Sequence, residues 1–454
     1  MSTRGLHGAA FEDPETAQHL SDLARVQALL DCEVALAEAQ AALGVVPQSC
    51  IAVLQRAARA ADYDLASLGR EAAEAGNLAI PLVRSLTRRV ASLDPDAARY
   101  VHWGATSQDI LDTALALQLR GIQPVILRHL RRCGDAAAAH ARAHVDAIMP
   151  GRTWLQHAAP ITFGLKAAGW LDALARVRAR VAEAFAASAI LQLGGAAGTL
   201  AALGPHALDV AEAMAARLGL AVPDLPWHAH RDRIADLASA LGVATGTLGK
   251  IARDLALLAQ TEVDEVREAA SEGRGGSSAL PHKRNPVAAS AVATAALRAP
   301  GLVATLLHAL PQEHERGIAG WQAEWETLPD LLALSAGAAR TLAEALEGLE
   351  VRTDRMRENL AATHGLIHAE ALAMRLAERH GKAEAHARVE AACRRALHED
   401  RDLLEVLKED PETLRDLDPA QLERTLAPEA EIGMARILVE RALARWKTSG
   451  DAHA

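Results

Sequence analysis

Aromatic side chains are scarce: phenylalanine, tyrosine and tryptophan together make up 3% of the 454 residues, although half of the chain is hydrophobic. The apolar mass is therefore alanine, leucine and valine, a composition that favours helix over sheet. Cysteine is nearly missing. Cys32, Cys50, Cys133 and Cys393 stand far apart, with no Cys-x-x-Cys and no His/Cys cluster. That argues against a disulfide framework and a structural metal, and points to a reducing, cytoplasmic compartment. Basic charge is also short: 48 Lys and Arg face 58 Asp and Glu, a net charge of −10. A protein that tracks nucleic-acid phosphates needs a clustered cationic excess, so no nucleic-acid partner is expected. An anionic substrate would need local positive charge against this acidic background. No apolar run of 18 or more residues lacks charges, and the N-terminus shows no apolar stretch before a small-residue cleavage site. Neither a membrane span nor a secretory signal is expected.

What is present is helical period. Leu23, Val26, Leu30, Val34, Ala37 and Ala41 recur at steps of three and four behind Ser21 as N-cap, and the pattern stops at Gly44 and Pro47. A longer stripe runs Ile234, Leu237, Leu241, Ala244, Leu248, Ile251, Leu255 and Leu258, which predicts one helix from about Arg231 to Ala270. Such a rod is not stable alone and must pack against neighbours of similar length, so the spacing predicts a bundle. Further helices are predicted over Leu111–Val145, over Ile161–Ala187 behind Pro160, and from Pro329 toward Leu349. The expected fold class is all-α.

The breaks carry the polar residues. They fall at Asn77–Pro81, Val101–Asp109, Met149–Pro160 and the glycine-rich Leu193–Pro205. A further break, Ser271–Pro286, holds three Gly and two Pro in 16 residues, too many for a helix interior. Within it, Gly275-Gly276-Ser277-Ser278-Ala279-Leu280-Pro281-His282-Lys283-Arg284-Asn285-Pro286 combines close-approach glycines with donors suited to a carboxylate. The same composition also suits a plain solvated connection. No dinucleotide fingerprint, Walker loop or metal-ligand spacing is found, so no cofactor and no metal is expected. Gly194–Gly198 only superficially resembles a phosphate loop, because no strand precedes it.

The segment GSSALPHKRNP at 276–286 resembles the signature loop of the fumarase/aspartase superfamily, with Leu280 where Met is common. HWGATSQDI at 102–110 and GRTWLQHAAPITFGLK at 151–166 resemble two further segments of that superfamily, in the same order. The resemblance implies a three-domain all-α fold: an N-terminal helical domain to about 110, a central long-helix bundle over 111–355 and a C-terminal helical domain over 356–454. It also implies a homotetramer whose active sites collect segments from different subunits, with a small polycarboxylate as substrate. GNLAIPLVRSL at 76–86 and HERGIAGWQAEWETLPDLL at 314–332 are most similar to the cycloisomerase branch, which closes a lactone ring using a carboxylate of the substrate itself. The adenylosuccinate lyase branch, the runner-up, eliminates fumarate and usually has His after Gly-Arg-Thr; here that position is Trp154. A reaction whose nucleophile is built into the substrate tolerates loss of that His more easily, since one proton delivered to carbon suffices.

By this resemblance Ser277 matches the acid/base on carbon, with the adjacent Ser278 left open. A serine hydroxyl is too weak a base unless cations or backbone donors stabilise its alkoxide. Lys283 and Asn285 match residues that hold a substrate carboxylate, as do Thr106, Ser107 and Gln108. Arg152, Thr153, Trp154 and Gln156 fall at binding positions of the third segment. His102, His157 and His282 are candidate proton donors or carboxylate partners, His157 foremost. Arg316 is a candidate for bidentate capture of a third carboxylate. Trp321 and Trp325 are expected to pack rather than to touch substrate.

Overall fold

Ser21 opens the first long helix as expected: its Oγ accepts from Ala24 N at 3.2 Å, and the helix runs Asp22–Ala42 before Gly44 turns the chain at φ +73°. The computed structural model describes residues 5–269, 275, 276, 280 and 283–451. The described residues are dominated by helices, among them Ala79–Leu93, Ser107–Ala143, Phe163–Ser188, Asp232–Leu258, Val287–His308 and Gly320–Glu347. The Ser107–Ala143 helix has 37 residues, roughly 55 Å at the usual rise.

The chain divides into two compact units. The first comprises Met1–Leu130, Val177–Gly249 and Ala291–Thr341, and the second Arg131–Arg176, Lys250–Ser290 and Leu342–Ala454. In the first unit, Leu29, Leu30 and Leu36 of the Asp22–Ala42 helix join Leu82, Leu86, Ile110 and Met214 in one buried cluster. Small residues set the closest helix approaches there. A Cβ on Gly249 would lie 2.3 Å from Ala296 Cβ, and one on Gly242 would lie 2.7 Å from Val303 Cγ2. In the second unit Leu372, Leu376, Leu403, Leu407 and Leu422 form a separate buried cluster.

Several sequence expectations are corrected. The segment Met149–Pro160 is not a bare connection: β1 (Ile148–Thr153) and β2 (Gln156–Thr162) form an antiparallel hairpin. Pro160 therefore lies in β2, opposite Pro150, and the following helix starts at Phe163. The helix that carries the long stripe runs Asp232–Leu258 and ends there rather than near Ala270. The turn is closed by Glu265 N donating to Leu258 O at 2.9 Å, and Asp264 adopts φ +51°. Beyond it Val266–Arg267 (β3) pairs with Glu350–Val351 (β4). The helix expected from Pro329 begins at Gly320 and carries Pro329 in its interior. Pro81 likewise sits inside the Ala79–Leu93 helix, with Asn77 Oδ1 accepting from Ile80 N at 3.2 Å.

Two helices, Ser107–Ala143 and Val287–His308, are long and apolar enough to cross a membrane by composition alone. The first buries Asp109, Asp112 and His129 in hydrogen bonds, which marks it as a core helix. The second leaves Leu297 and Leu307 exposed in the chain taken by itself.

Candidate active site

Buried charge organises the segment Val101–Asp109 in the first unit. Thr106 N donates to Asp109 Oδ2 at 2.9 Å, while Asp109 N donates to Thr106 O at 3.0 Å, so the start of the Ser107–Ala143 helix is closed reciprocally. The Asp109 carboxylate also accepts from Gly194 N at 2.8 Å and Gly195 N at 2.9 Å, and His228 Nε2 lies 2.7 Å from its Oδ1. The glycine loop thus cradles an anion, but the anion is a side chain of the same chain. Gly195, at φ +68°, supplies a conformation that larger residues resist.

One turn further along, Asp112 accepts two hydrogen bonds from Arg231, at 2.8 and 3.1 Å, and one from Trp321 Nε1 at 3.1 Å. Arg231 also donates to both oxygens of Glu324, at 2.9 and 2.5 Å, and its guanidinium stacks over the Trp227 ring. Two carboxylates thus share one buried cation. Burial pushes the Glu324 carboxyl above its ordinary value, against the pull of Arg231 and with the push of Asp112. Trp321 packs edge-on to Trp325 at 5.0 Å between ring centroids.

On this frame sit the residues singled out from sequence. Thr106 and Arg316 are brought together, Arg316 Nη1 donating to Thr106 Oγ1 at 2.7 Å. Ser107 is half-buried at the first helical turn. Gln108 is 1% exposed, and its Nε2 donates to Asp112 Oδ2 at 3.1 Å and His228 O at 2.9 Å, which commits its amide nitrogen inside the protein. His102, at φ +58°, sets Nδ1 2.6 Å from Glu33 Oε1.

The second unit holds the hairpin residues. Arg152 reaches across to the fully buried Glu265 with two hydrogen bonds, at 2.9 and 2.7 Å, and Asn359 Nδ2 donates to the same carboxylate at 2.8 Å. Arg152 is therefore neutralised internally before any ligand arrives. Thr153 and Gln156 face each other as exposed residues at the end of the hairpin. Between them Trp154 and Leu155 form the turn, both at positive φ, 52° and 65°. Two-residue hairpin turns of this hand normally use Asn and Gly. Trp154 is 97% exposed. His157 pairs with Arg152 across the strands. Burial and the Arg152 charge push its imidazole below the usual value, against Glu265, so it is neutral at neutral pH. Its Nδ1 is buried without a hydrogen-bond partner among the described residues.

Lys283 is exposed and Asn285 half-buried. Asn285 N donates to Gly275 O at 2.9 Å, and a Cβ on Gly275, at φ +72°, would lie 2.8 Å from Asn285 O. Only glycine fits there. Ser277, Ser278 and His282 lie outside the described residues. Among the described residues no group of three or more His, Cys, Asp or Glu side chains is placed to hold a metal ion.

Sequence reasoning missed Glu33, Asp109, Asp112, His228, Arg231, Glu265 and Glu324. The available signals were charged residues on otherwise apolar helical stripes, and the run Trp227-His228-Ala229-His230-Arg231 just before a helix.

A model of the lyase family matches residues 12–301, and one of the adenylosuccinate lyase C-terminus matches residues 365–442. Over 430 residues the chain is 52% identical to a 3-carboxy-cis,cis-muconate cycloisomerase of Pseudomonas aeruginosa, covering 95% of this chain and 94% of that one. It is 46% identical over 432 residues to a nitrosuccinate lyase of Streptomyces davaonensis, covering 93% and 91%. The crystal structure of 3-carboxy-cis,cis-muconate lactonizing enzyme from Pseudomonas putida superposes with a TM-score of 0.93 at 46% identity, over 98% of this chain and 99% of that one. The all-α fold expected from the sequence is thereby confirmed, and the chain belongs to the lyase family of the fumarase/aspartase superfamily and is an enzyme of that kind.

Proposed function

We propose that the chain is a 3-carboxy-cis,cis-muconate cycloisomerase, a cytoplasmic enzyme of protocatechuate breakdown in the β-ketoadipate pathway. One carboxylate of the tricarboxylate attacks the conjugated double bond, a carbon–oxygen bond closes the lactone, and one proton is delivered to the neighbouring carbon. The full-length likeness to cycloisomerases carries this reading. The residues fit the chemistry. Arg316 and Thr106 form a ready donor pair for a carboxylate, Lys283 is an exposed cation, and Trp154 stands where a fumarate-releasing lyase would use a histidine.

We further propose that the active enzyme is a homotetramer whose sites draw on three segments from neighbouring subunits. The exposed apolar side chains of Leu297 and Leu307 on the Val287–His308 helix, and the uncovered Trp154–Leu155 turn, support an assembly that covers them.

The same purified sample would be followed for ultraviolet loss of the carboxymuconate diene and for fumarate release from adenylosuccinate. Diene loss without fumarate is expected. Fumarate release alone would transfer the assignment to the adenylosuccinate lyase type, and nitrite release from nitrosuccinate would favour the Streptomyces relative's activity. Trp154→Gly provides a local check. The change relieves a left-handed strain of about 1–2 kcal/mol and removes an exposed ring, so Tm is expected to hold or rise. If the ring lines the site, kcat/KM on carboxymuconate falls about 10²-fold through mispositioned substrate; parental kcat/KM would remove Trp154 from the site.

A further inference from the structure

The Asp22–Ala42 helix grips the Val101–Asp109 segment at two points. Glu33 meets the His102 ring, and two turns later Gln40 Nε2 donates to Trp103 O at 2.7 Å. Residues seven apart share a helix face, and both of these side chains are buried, Glu33 at 1% and Gln40 at 0% exposure. The Oε1 of Glu33 lies 2.6 Å from His102 Nδ1, and its Oε2 has no hydrogen-bond partner among the described residues. A carboxylate buried with half its valence unmet costs several kcal/mol unless a charge answers it. Packing alone does not explain its presence, since an apolar residue would fill the same space without that cost. His102 accepts a left-handed backbone at φ +58° in the same place, a strain that persists where the surroundings over-determine it. Among the described residues its Nε2 makes no hydrogen bond.

We propose that Glu33 is a positioning residue for His102, turning Nδ1–H inward and holding the ring as an imidazolium whose Nε2–H meets a carboxylate of the substrate. This rests on reading the site as a polycarboxylate cradle. The charged groups acting on the ring are Glu33 from the Asp22–Ala42 helix and Asp109 from the Ser107–Ala143 helix; Tyr100 precedes it, and Arg316 joins the same segment at Thr106. Burial pulls the imidazole down, but the charge and hydrogen bond of Glu33, with the field of Asp109, outweigh it and raise the ring above its ordinary value. A raised value means that the cation is fully present at low pH and is lost as pH rises through the folded value. Substrate affinity contributed by His102 should fade over that same interval.

The test uses the whole protein and propane-1,2,3-tricarboxylate as probe, with affinity measured by calorimetry from pH 6 to 9. In the parent, affinity is expected to fall on the alkaline side. Glu33→Gln keeps the size and an acceptor but removes the charge, so the midpoint of that fall should move about one pH unit lower, which weakens binding on the alkaline side of the parent's midpoint by up to about tenfold. In a His102→Asn background, Glu33→Gln should change nothing further. An unshifted midpoint, or the same tenfold loss without His102, overturns the role of Glu33 while leaving the cradle intact. Failure of the parent to bind the tricarboxylate overturns the cradle reading itself. If Glu33→Gln does not fold, His102→Asn alone must abolish the pH dependence, and its persistence overturns the proposal.

Discussion

Asp109→Asn is expected to lower unfolding stability by about 3–5 kcal/mol, the range for leaving a buried charge cluster without one partner. The carboxylate answers four donors: Thr106 N, Gly194 N, Gly195 N and His228 Nε2. An amide of the same shape offers one oxygen and turns an NH₂ group toward at least one N–H, leaving donors unmet at a site that is 0% exposed. The damage is also positional. Thr106 is tied to Asp109 through backbone and side chain, so the Arg316–Thr106 pair loses its footing even where the variant remains folded. Denaturant unfolding near neutral pH, alongside kcat/KM on carboxymuconate at 25 °C, would measure both effects. An unfolding midpoint equal to the parent's would show that the two glycine amides do not need the charge.

Ser277→Ala is expected to cost roughly 10²- to 10⁴-fold in turnover, the usual contribution of a positioned proton-transfer group, with Tm unchanged because only one hydroxyl is lost. Ultraviolet decay of the diene gives the rate. Undiminished turnover would move the proton to Ser278 or to a histidine. The two candidate histidines among the described residues are not equivalent for that task, since burial and the charge of Arg152 lower the His157 imidazole while Glu33 raises that of His102.

Local signals proved legible where a segment carries the residues that usually announce its conformation. Ser21 with its following apolar steps marks a helix start, and the structure places the cap there. The hairpin at 148–162 escaped for an equally local reason. Its turn is Trp154-Leu155, which carries none of the glycine or asparagine that announces a two-residue turn, and Pro150 and Pro160 suggest interruption rather than pairing. The end of the Asp232–Leu258 helix escaped because its cause is distant: Glu265 is pulled into the interior by Arg152 and Asn359, 113 and 94 residues away. Candidate residues on the surface of the segments were readable from their chemistry. The frame beneath them was not, because beyond the local contacts of Thr106 and Gln108 the partners of Asp109 and Asp112 lie 85 to 209 residues along the chain, and no spacing rule spans that interval.

The four thiols differ in accessibility. Cys32, Cys50 and Cys133 are buried, and burial pushes the Cys32 and Cys133 thiols far above the range in which a reactive thiolate forms. Cys393, on the helix Lys382–Glu399, is only half covered. A maleimide dye added to the unmodified protein would therefore attach there first, giving a spectroscopic reporter in the C-terminal region without altering a single residue of the Thr106 segment.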